Sequence, residues 1–488
     1  MAGVTAARLS DTLAALPQGA LAPAAADGRD RLAHAVARLT YGITPDLHGE
    51  AQRLGVDAFI AQQLTPNALD DSALDAPLAP WRAILDATPA ALFAQYENDR
   101  DVIVGALTGG TTIRAMHSTR QLHERMVYFF SNHFNVYIGK AITVFLKVEE
   151  DRLVIRPNTM TTFRQILGAS AKSPAMLVYL DNARSDKRSP NENYARELLE
   201  LHTMGVNGGY SEDDVKAVAR AFTGWSMRGR TEGDNAFTYA YRRGFHDDDA
   251  KTILGAIIPA GGGERDGELV LDLLAAHPST ARTLATKIAR RFVADAPPEA
   301  LVERLAAGFL VSGGDITSLL RDLFAADEFW DAPPKLKHPF EYVVSVLRAL
   351  SFQVSNEQRF GRTISGALEA MGNLPFAWPA PNGYPDVAGA WRDGLITRWN
   401  AAISAVSGDI GGAGMDIDRV LRLFDDNGVP FETEPVVNFM GGYLLGRPLT
   451  SDESGVTVRF ARESGDGVDA QIASGIALLL ASPAFQYR

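Results

Sequence analysis

The chain contains no cysteine among its 488 residues. This absence excludes thiol nucleophiles, disulfide bonds, thiolate zinc sites and iron–sulfur clusters. Basic residues are fewer than acidic ones, 47 against 59, which gives a net charge of −12. A chain of this charge, without a basic run or a basic patch interleaved with aromatic residues, is disfavoured as a nonspecific ligand of nucleic acid or of anionic membranes. We therefore expect no nucleic-acid partner.

Long apolar runs are also missing, since no stretch approaches the ~18 residues of a membrane-spanning helix. Residues 1–28 are rich in alanine and lack the basic start and apolar core of a secretory signal. We expect a loosely attached arm there, followed by one large domain over 29–488. The sequence leaves two locations open, the cytoplasm and, for a mature form, the periplasm or the exterior. The GxSxG, Walker, GxGxxG and HExxH motifs are absent as well.

Apolar residues recur at spacings of three and four along most of the chain, which predicts an all-α fold. The stretch 111–135 is typical of one long helix whose second half enters the core. Glycine, aromatic residues and alternation over 226–262 predict a small β-hairpin or flap. Residues 373–390 carry four prolines and several aromatic rings, which predicts an ordered loop of the kind that shapes binding sites.

One short segment, NENYARELLELHTMG, concentrates charged residues. It places Glu192, Glu197, Glu200, Arg196 and His202 within about three or four helical turns. At 3.6 residues per turn, Glu197 and Glu200 share one face, and so do Glu192 and Arg196. The apolar residues between them indicate partial burial of this charge.

Two interpretations of this segment stay open. Neighbouring carboxylates raise the pKa of one of them, which is the setting of a general acid/base pair or of a metal site. Alternatively, Glu192 and Arg196 form an ordinary intrahelical ion pair while Glu200 pairs with a distant basic residue, and the segment is a structural charge network.

Asn132 and His133 end the long helix among phenylalanines. His133 is a candidate general base or metal ligand, because both roles need a histidine whose second ring nitrogen is fixed. The alternative is a core histidine with a satisfied ring nitrogen. Arg125 lies two turns earlier on the same side, and we expect it to face a carboxylate of the charged segment.

Candidate metal ligands are few. His246 and Asp247 stand in the flap, where imidazole and carboxylate can bind a hard or borderline divalent cation. The alternative is a solvated acidic turn closed by Lys251. His202 is a further candidate, although capping the end of its helix explains it equally. The leading interpretation of the chain requires no cofactor.

The proline-rich loop and its neighbourhood carry Trp378, Tyr384 and Trp391, with Asn382 and Asp386 between them. Sugar rings present apolar faces and hydroxyl edges, so aromatic rings with amide and carboxylate groups match them. We therefore predict an oligosaccharide site here. The alternative is a hydrophobic loop that holds the last helices against the core.

Several segments together resemble a known family. They include RLTYGITPD, ERMVYFFSNHFNV, PNENYARELLELHTMGVNGGYSEDDVKAVARAFTGW, HPSTARTLATKIARRFVAD and LKHPFEYVVSVLRAL, in this order. The chain resembles the bacterial domain of unknown function 1800 family over nearly its whole length. The resemblance implies an α-helical fold and a role in an envelope or extracellular-polymer context, and it assigns no activity.

From the residues, we expect a hydrolase that acts on a carbohydrate or related polymer. Glu192, Glu197 and Glu200 supply the acid and base, Arg196 tunes them, and the aromatic loop holds the substrate. An alternative is a non-catalytic binding or scaffold protein in which the charged helix is a buried network. A further alternative is a metalloenzyme with histidine and carboxylate ligands.

Overall fold

The computed structural model describes residues 4–16, 19–23, 30–408 and 410–488. Helix accounts for 64% of the chain and the strands form small two-stranded sheets, so the predicted all-α fold with small β elements is confirmed. Within these described ranges, none of the helices is both long enough and apolar enough to traverse a bilayer.

The first part of the chain forms a series of helices, and polar side chains separate α8 from α9. They are α1 (Ala6–Ala14), α2 (Arg31–Leu39), α3 (Pro45–Leu54), α4 (Val56–Gln63), α5 (Asp75–Leu78), α6 (Arg82–Leu85), α7 (Pro89–Tyr96), α8 (Arg100–His117) and α9 (Gln121–His133). The prediction of one helix over 111–135 was wrong. Ser118 Oγ and the Thr119 N–H donate to the two carboxylate oxygens of Asp71, at 2.9 and 2.7 Å. Ser118 adopts an extended backbone there, as expected where polar side chains offer the backbone another partner.

Two π-helical segments mark the middle of the chain. The elements are α10 (Thr143–Glu149), a π-helix over Glu150–Ile155, α11 (Arg156–Asn158), α12 (Phe163–Ala171), α13 (Pro174–Tyr179), α14 (Glu192–Glu197), a π-helix over Leu198–Thr203, and α15 (Glu212–Ala221). The Asn191 side chain caps α14 by accepting from two backbone N–H groups. Gly205 follows with a φ of +85°, which favours glycine. The predicted helix is therefore present, but the spacing of 3.6 residues per turn ends at Glu197.

Among the described residues, six short strands pair in three antiparallel sheets. They are β1 (Trp225–Met227) with β2 (Tyr239–Tyr241), β3 (Lys251–Ile253) with β4 (Ala256–Ile258), and β5 (Phe352–Val354) with β6 (Ala413–Met415). The first two sheets occupy the predicted flap at 226–262. The third was not predicted, because its two strands lie far apart in the chain and no hairpin turn joins them.

The remaining helices build the second half of the core. They are α16 (Arg265–Ala275), α17 (Pro278–Phe292), α18 (Glu299–Val311), α19 (Ile316–Ala325), α20 (Asp327–Trp330), α21 (Pro339–Ala349), α22 (Glu357–Ala370), α23 (Leu395–Val406), α24 (Ile417–Asp426), α25 (Thr433–Leu445), α26 (Ser451–Ser464), α27 (Val468–Ala481) and α28 (Pro483–Gln486). One large apolar cluster forms around α9, α12 and α15 to α19. A second forms around α8, α21, α22 and α25 to α27.

The described part of the N-terminal arm packs against this second cluster. Leu9 and Leu21 are fully buried, and the Leu21 N–H donates to Glu453 Oε1 at 2.6 Å. The expectation of loose attachment was therefore wrong for residues 4–16 and 19–23. Residues 1–3, 17–18 and 24–28 of the predicted arm lie outside the described residues.

Candidate active site

A cavity of about 160 Å³ lies where α9, α17 and the proline-rich loop meet. We call it the loop cavity. Its wall is formed by Tyr128, Phe129, Asn132, His133, Lys287, Arg290, Arg291, His338, Asn382, Tyr384, Pro385 and Asp386. Five residues that the sequence singled out separately, two on α9 and three on the loop, thus share one cavity.

The loop is held against the end of α9 by backbone contacts. Asn135 Nδ2 donates to the carbonyl oxygens of Trp378 and Ala380, at 2.9 and 2.7 Å. Gly383 has a φ of +68°, and a Cβ atom added there would lie 2.2 Å from the Asn132 carbonyl oxygen. Only glycine fits such a close approach. The prolines of the loop and these contacts therefore fix the position of the loop side of the cavity.

His133 and Lys287 join the cavity to the end of the charged segment. Lys287 Nζ donates to the Leu201 carbonyl at 2.8 Å and to His133 Nδ1 at 3.1 Å. His133 Nε2 lies 3.0 Å from the His202 carbonyl, which can only accept. Carbonyls in the last turn of a helix lack intrahelical donors, and these two side chains satisfy them. Both ring nitrogens of His133 therefore have hydrogen-bond partners. This favours the interpretation of His133 as a core histidine over its interpretation as a general base.

The cavity wall carries an excess of positive charge. Burial, followed by the charge of Arg290, lowers the pKa of Lys287 to about 8. In the part of the chain that the structure describes, neither Lys287 nor Arg290 has an acidic partner. Asp386 is the one carboxylate of the wall. The cavity is thus cationic in a protein of net charge −12.

Asp386 is already neutralised by its neighbours. Its Oδ1 atom lies 3.0 Å from His338 Nε2 and 3.1 Å from Lys335 Nζ, and Arg291 approaches Oδ2 at 3.8 Å. Burial alone would raise the pKa of Asp386, but these cations outweigh burial and hold the pKa well below its usual range. The carboxylate consequently stays ionised and does not offset the charge of Lys287.

Behind Asp386 lies a buried network around Glu341, which is 1% exposed. Arg125, Arg291 and Arg488 all contact its carboxylate. Burial opposes ionisation, but the three guanidinium groups hold the pKa of Glu341 well below its usual range. The expectation that Arg125 faces a carboxylate of the charged segment was wrong. Arg125 binds Glu341 at 3.1 Å and the Thr40 carbonyl at 2.8 Å.

Glu197 and Glu200 lie outside the wall of the loop cavity. Both are partly buried, and burial together with the charge of Glu200 raises the pKa of Glu197. Among the described residues, neither carboxylate has a hydrogen-bonding or ion-pair partner. Tyr179 lies between Glu197 and the loop, because its hydroxyl donates to the Pro379 carbonyl at 2.7 Å and the charge of Glu197 contributes to its raised pKa.

Arg196 forms its hydrogen bonds outside this pair, although its charge lowers the pKa of Glu197. It forms two hydrogen bonds with the exposed Glu212, at 2.7 and 2.8 Å, and a longer contact of 3.8 Å with Glu192. The intrahelical pair of Glu192 and Arg196 is therefore present, on the exposed side of α14. Arg196 thus acts on Glu197 through its charge alone, because among the described residues its close ion pairs are with Glu192 and Glu212.

The aromatic residues of the loop divide into two groups. Tyr384 lines the cavity, and its hydroxyl donates to the Leu374 carbonyl at 2.7 Å. Trp391 is 8% exposed, packs 5.4 Å from the His338 ring, and donates to the Pro385 carbonyl. Trp378 is partly exposed and donates to Asn382 Oδ1 at 2.8 Å. Trp391 therefore packs beneath the site, whereas part of the Trp378 ring stays exposed and can contact a ligand.

Two of the three candidate metal ligands, His246 and Asp247, are occupied by other groups. The ring nitrogens of His246 face the Thr223 carbonyl and Asp266, at 2.8 and 3.2 Å, while Asp247 pairs with Arg220. Burial, then Lys287, lowers the pKa of His202 to about 3, so its ring is neutral. Over the described ranges, no three histidine, aspartate or glutamate side chains gather as a metal site.

A larger cavity of about 610 Å³ lies on the other side of the Glu341 network. Its wall includes Arg125, Glu341 and Arg488, and also Pro23 and Asp30. The last two residues border the undescribed stretch 24–29. We therefore assign the candidate site to the loop cavity, whose whole wall is described.

Sequence reasoning did not identify the cationic part of the cavity. Lys287, Arg290 and Arg291 lie on α17, and His338 immediately precedes α21. One signal was present, because Lys287 and Arg291 are four residues apart and share a face with Leu284 and Ile288, which are fully buried. Basic residues on a buried helix face require a partner or a function.

The fold and the site define a helix-rich protein with a small cationic cavity closed by a proline-rich loop. The family model described as "Protein of unknown function (DUF1800)" matches residues 34–487, and the chain belongs to this family. Searches of curated proteins and of solved structures found no match.

Proposed function

We propose that the protein is a carbohydrate-processing enzyme that holds a sugar unit in the loop cavity. The observation that carries this proposal is the mixed wall of the cavity. Tyr128, Phe129 and Tyr384 supply apolar surface, while Asn132 and Asn382 supply amide groups. Sugars match such a wall on both counts, since they have apolar C–H faces and hydroxyl edges.

The size of the cavity limits what enters it. Ligand pockets for drug-sized molecules measure about 300–1,000 Å³, and the loop cavity measures about 160 Å³. A single sugar unit, or a substituent of one, therefore occupies it, while the rest of a longer chain lies across the surface. The ring of Trp378, which is partly exposed and lies 5.1 Å from the ring of Tyr384, is the proposed contact of the next unit.

Glu197 and Glu200 are the proposed acid and base of a hydrolytic reaction. Burial and the charge of Glu200 raise the pKa of Glu197, which favours its acid form, and in the proposed reaction this acid donates its proton to the glycosidic oxygen as the C–O bond breaks. Glu200 takes a proton from the water whose oxygen bonds to the sugar carbon. The position of Tyr179, between Glu197 and Pro379 of the loop, supports a substrate path from the cavity to this pair.

A second candidate is a non-catalytic carbohydrate-binding protein. It is favoured by one observation, namely that Glu197 and Glu200 are absent from the cavity wall. In that case the cavity binds a sugar unit in the same way, and the carboxylate pair contributes only surface charge.

The test is a panel of oligosaccharides assayed for binding by calorimetry and for cleavage by the release of reducing ends. We expect Glu197→Gln to abolish cleavage and keep affinity, and Asn382→Ala to weaken binding. Glu212→Gln is the matched control, because Glu212 is an exposed carboxylate near the same helix, and it should leave both properties unchanged. Binding without cleavage in the unaltered protein would support the second candidate, and no binding of any saccharide would overturn both.

A further inference from the structure

We infer that the sugar unit held in the loop cavity is acidic, bearing a carboxylate or sulfate group that Lys287 and Arg290 bind. This inference rests on the proposed function and narrows its substrate class. It starts from a charge imbalance. Two cations of the wall have no acidic partner in the described part of the chain, and the one carboxylate of the wall is already shared by three basic groups.

The donors of these cations are only partly used. An ammonium group has three N–H donors, and Lys287 spends two, on the Leu201 carbonyl and on His133 Nδ1. Arg290 donates from Nε to the Asp295 carbonyl at 3.0 Å, which leaves the four donors of its two terminal nitrogens. Carboxylate and sulfate oxygens accept such hydrogen bonds strongly, because donor and acceptor are both charged.

The acceptors already bound to Lys287 are uncharged, so they do not neutralise the charge of its ammonium group. Burying an ammonium group costs free energy unless a negative charge compensates it. The fold provides a carbonyl and a neutral imidazole, and Asp386 is committed to Lys335, His338 and Arg291. An anionic group on the ligand supplies the missing charge, so binding gains most when the sugar is acidic.

Asn132 uses one amide N–H on the Tyr128 carbonyl and Asn382 accepts from Trp378 through Oδ1, so each amide keeps an N–H donor for a hydroxyl group of the same ring. Asn382 is exposed at the edge of the wall, and Asn132 lies one helix residue from His133. A unit with its acid group toward α17 thus meets amides on the opposite side. Neutral sugars satisfy the amides alone and leave both cations uncompensated.

The experiment is isothermal titration of the full chain with glucose, glucuronate and glucose 6-sulfate at low ionic strength. We expect at least about tenfold tighter binding of one or both acidic sugars than of glucose. The carboxylate and sulfate arms identify which acid group is taken. Arg290→Gln should remove most of this preference, whereas Arg422→Gln, an exposed change of equal charge on α24, should keep it.

A second measurement covers the case in which Arg290→Gln does not fold. In the unaltered protein the preference should shrink as sodium chloride screens the charges, and Lys287→Met should reduce it while a melting curve verifies folding. Equal binding of all three sugars would overturn the inference and leave the proposed function standing. Binding of sulfate ion that depends on Arg290, without binding of any sugar, would uphold the anion site and overturn the carbohydrate function. Absence of all binding would overturn both.

Discussion

Lys287 Nζ and His133 Nδ1 lie 3.1 Å apart across the junction of α17 and α9. Because an ammonium group only donates, Nδ1 of the imidazole accepts, and its proton sits on Nε2, where it is donated to the His202 carbonyl. One lysine thus selects the tautomer of the histidine. The histidine in turn fixes the lysine at the cavity wall.

We expect His133 to remain neutral with its proton on Nε2 between pH 5 and 8. Burial and the charge of Lys287 lower its pKa well below the ordinary value. Nitrogen-15 chemical shifts of the ring measure both tautomer and charge. Lys287→Met is the control, because it removes the donor that fixes the tautomer. Protonation of His133 within this range would contradict the geometry described above.

Binding of an acidic sugar should weaken as the pH rises through about 8. The pKa of Lys287 is lowered to about 8, so the cation that binds the ligand is present below this pH and lost above it. An ordinary lysine would lose its charge near pH 10.4. Titrating glucuronate at successive pH values measures the effect. Lys287→Arg keeps the charge and should shift the loss to higher pH, and an identical profile for the two proteins would exclude Lys287 as its origin.

Glu341→Gln should lower the free energy of unfolding by about 3–5 kcal/mol, because it leaves Arg125, Arg291 and Arg488 without their shared carboxylate. Urea denaturation followed by circular dichroism provides the measurement. Glu212→Gln breaks an exposed ion pair and should leave the free energy of unfolding nearly unchanged. Similar losses in the two variants would mean that the buried network contributes no more than a surface pair.

Acid should destabilise the protein between pH 4.5 and 2 through Glu124. Burial alone would raise its pKa, but Arg156 outweighs burial and lowers the pKa from 4.5 to about 2. The stabilisation is therefore complete above pH 4.5 and lost as the pH falls toward 2, by roughly 3 kcal/mol. Melting temperatures of the protein and of Glu124→Gln, recorded over this range, should converge at the acid end. Parallel curves would assign the acid sensitivity to other groups.

The two tryptophans of the loop region should behave differently. Trp391→Ala removes a buried ring and should cost about 3–5 kcal/mol of stability. Trp378→Ala removes a partly exposed ring and should leave the melting temperature nearly unchanged while weakening the binding of longer saccharides. Thermal melts and calorimetric titrations of both variants distinguish a structural role from a role in ligand binding. Loss of stability in Trp378→Ala alone would reverse the assignment.

Local patterns sufficed for much of the fold. Spacings of three and four predicted the helices, and the glycine-rich alternation of 226–262 predicted β1 to β4, because both signals arise within a few neighbouring residues. The turn at Ser118 was missed, since it depends on Asp71, a residue some 47 positions away in the chain. When a side chain contacts a residue far away in the sequence, the residues next to it in the chain do not predict that contact.

For the same reason, the candidate site could be predicted only in part from the sequence. Asn132 and Asp386 were selected by residue type, but the contact between α9 and the loop that brings them together depends on residues far apart in the chain. Arg125 was assigned to the wrong acid, because its helix face points toward α21 and Glu341. Lys287 was overlooked, since a lone lysine in an amphipathic helix is ordinary until its neighbours are known.

The π-helix at Leu198–Thr203 has a consequence for insertions and deletions. Its hydrogen bonds span five residues instead of four, so it holds one residue more than the same length of α-helix. Deleting one residue there would let α14 continue as a regular α-helix and would change which carbonyls of its last turn face α17. The carbonyls of Leu201 and His202 would then leave Lys287 and His133. The length of this segment is thus constrained as strictly as its residue types.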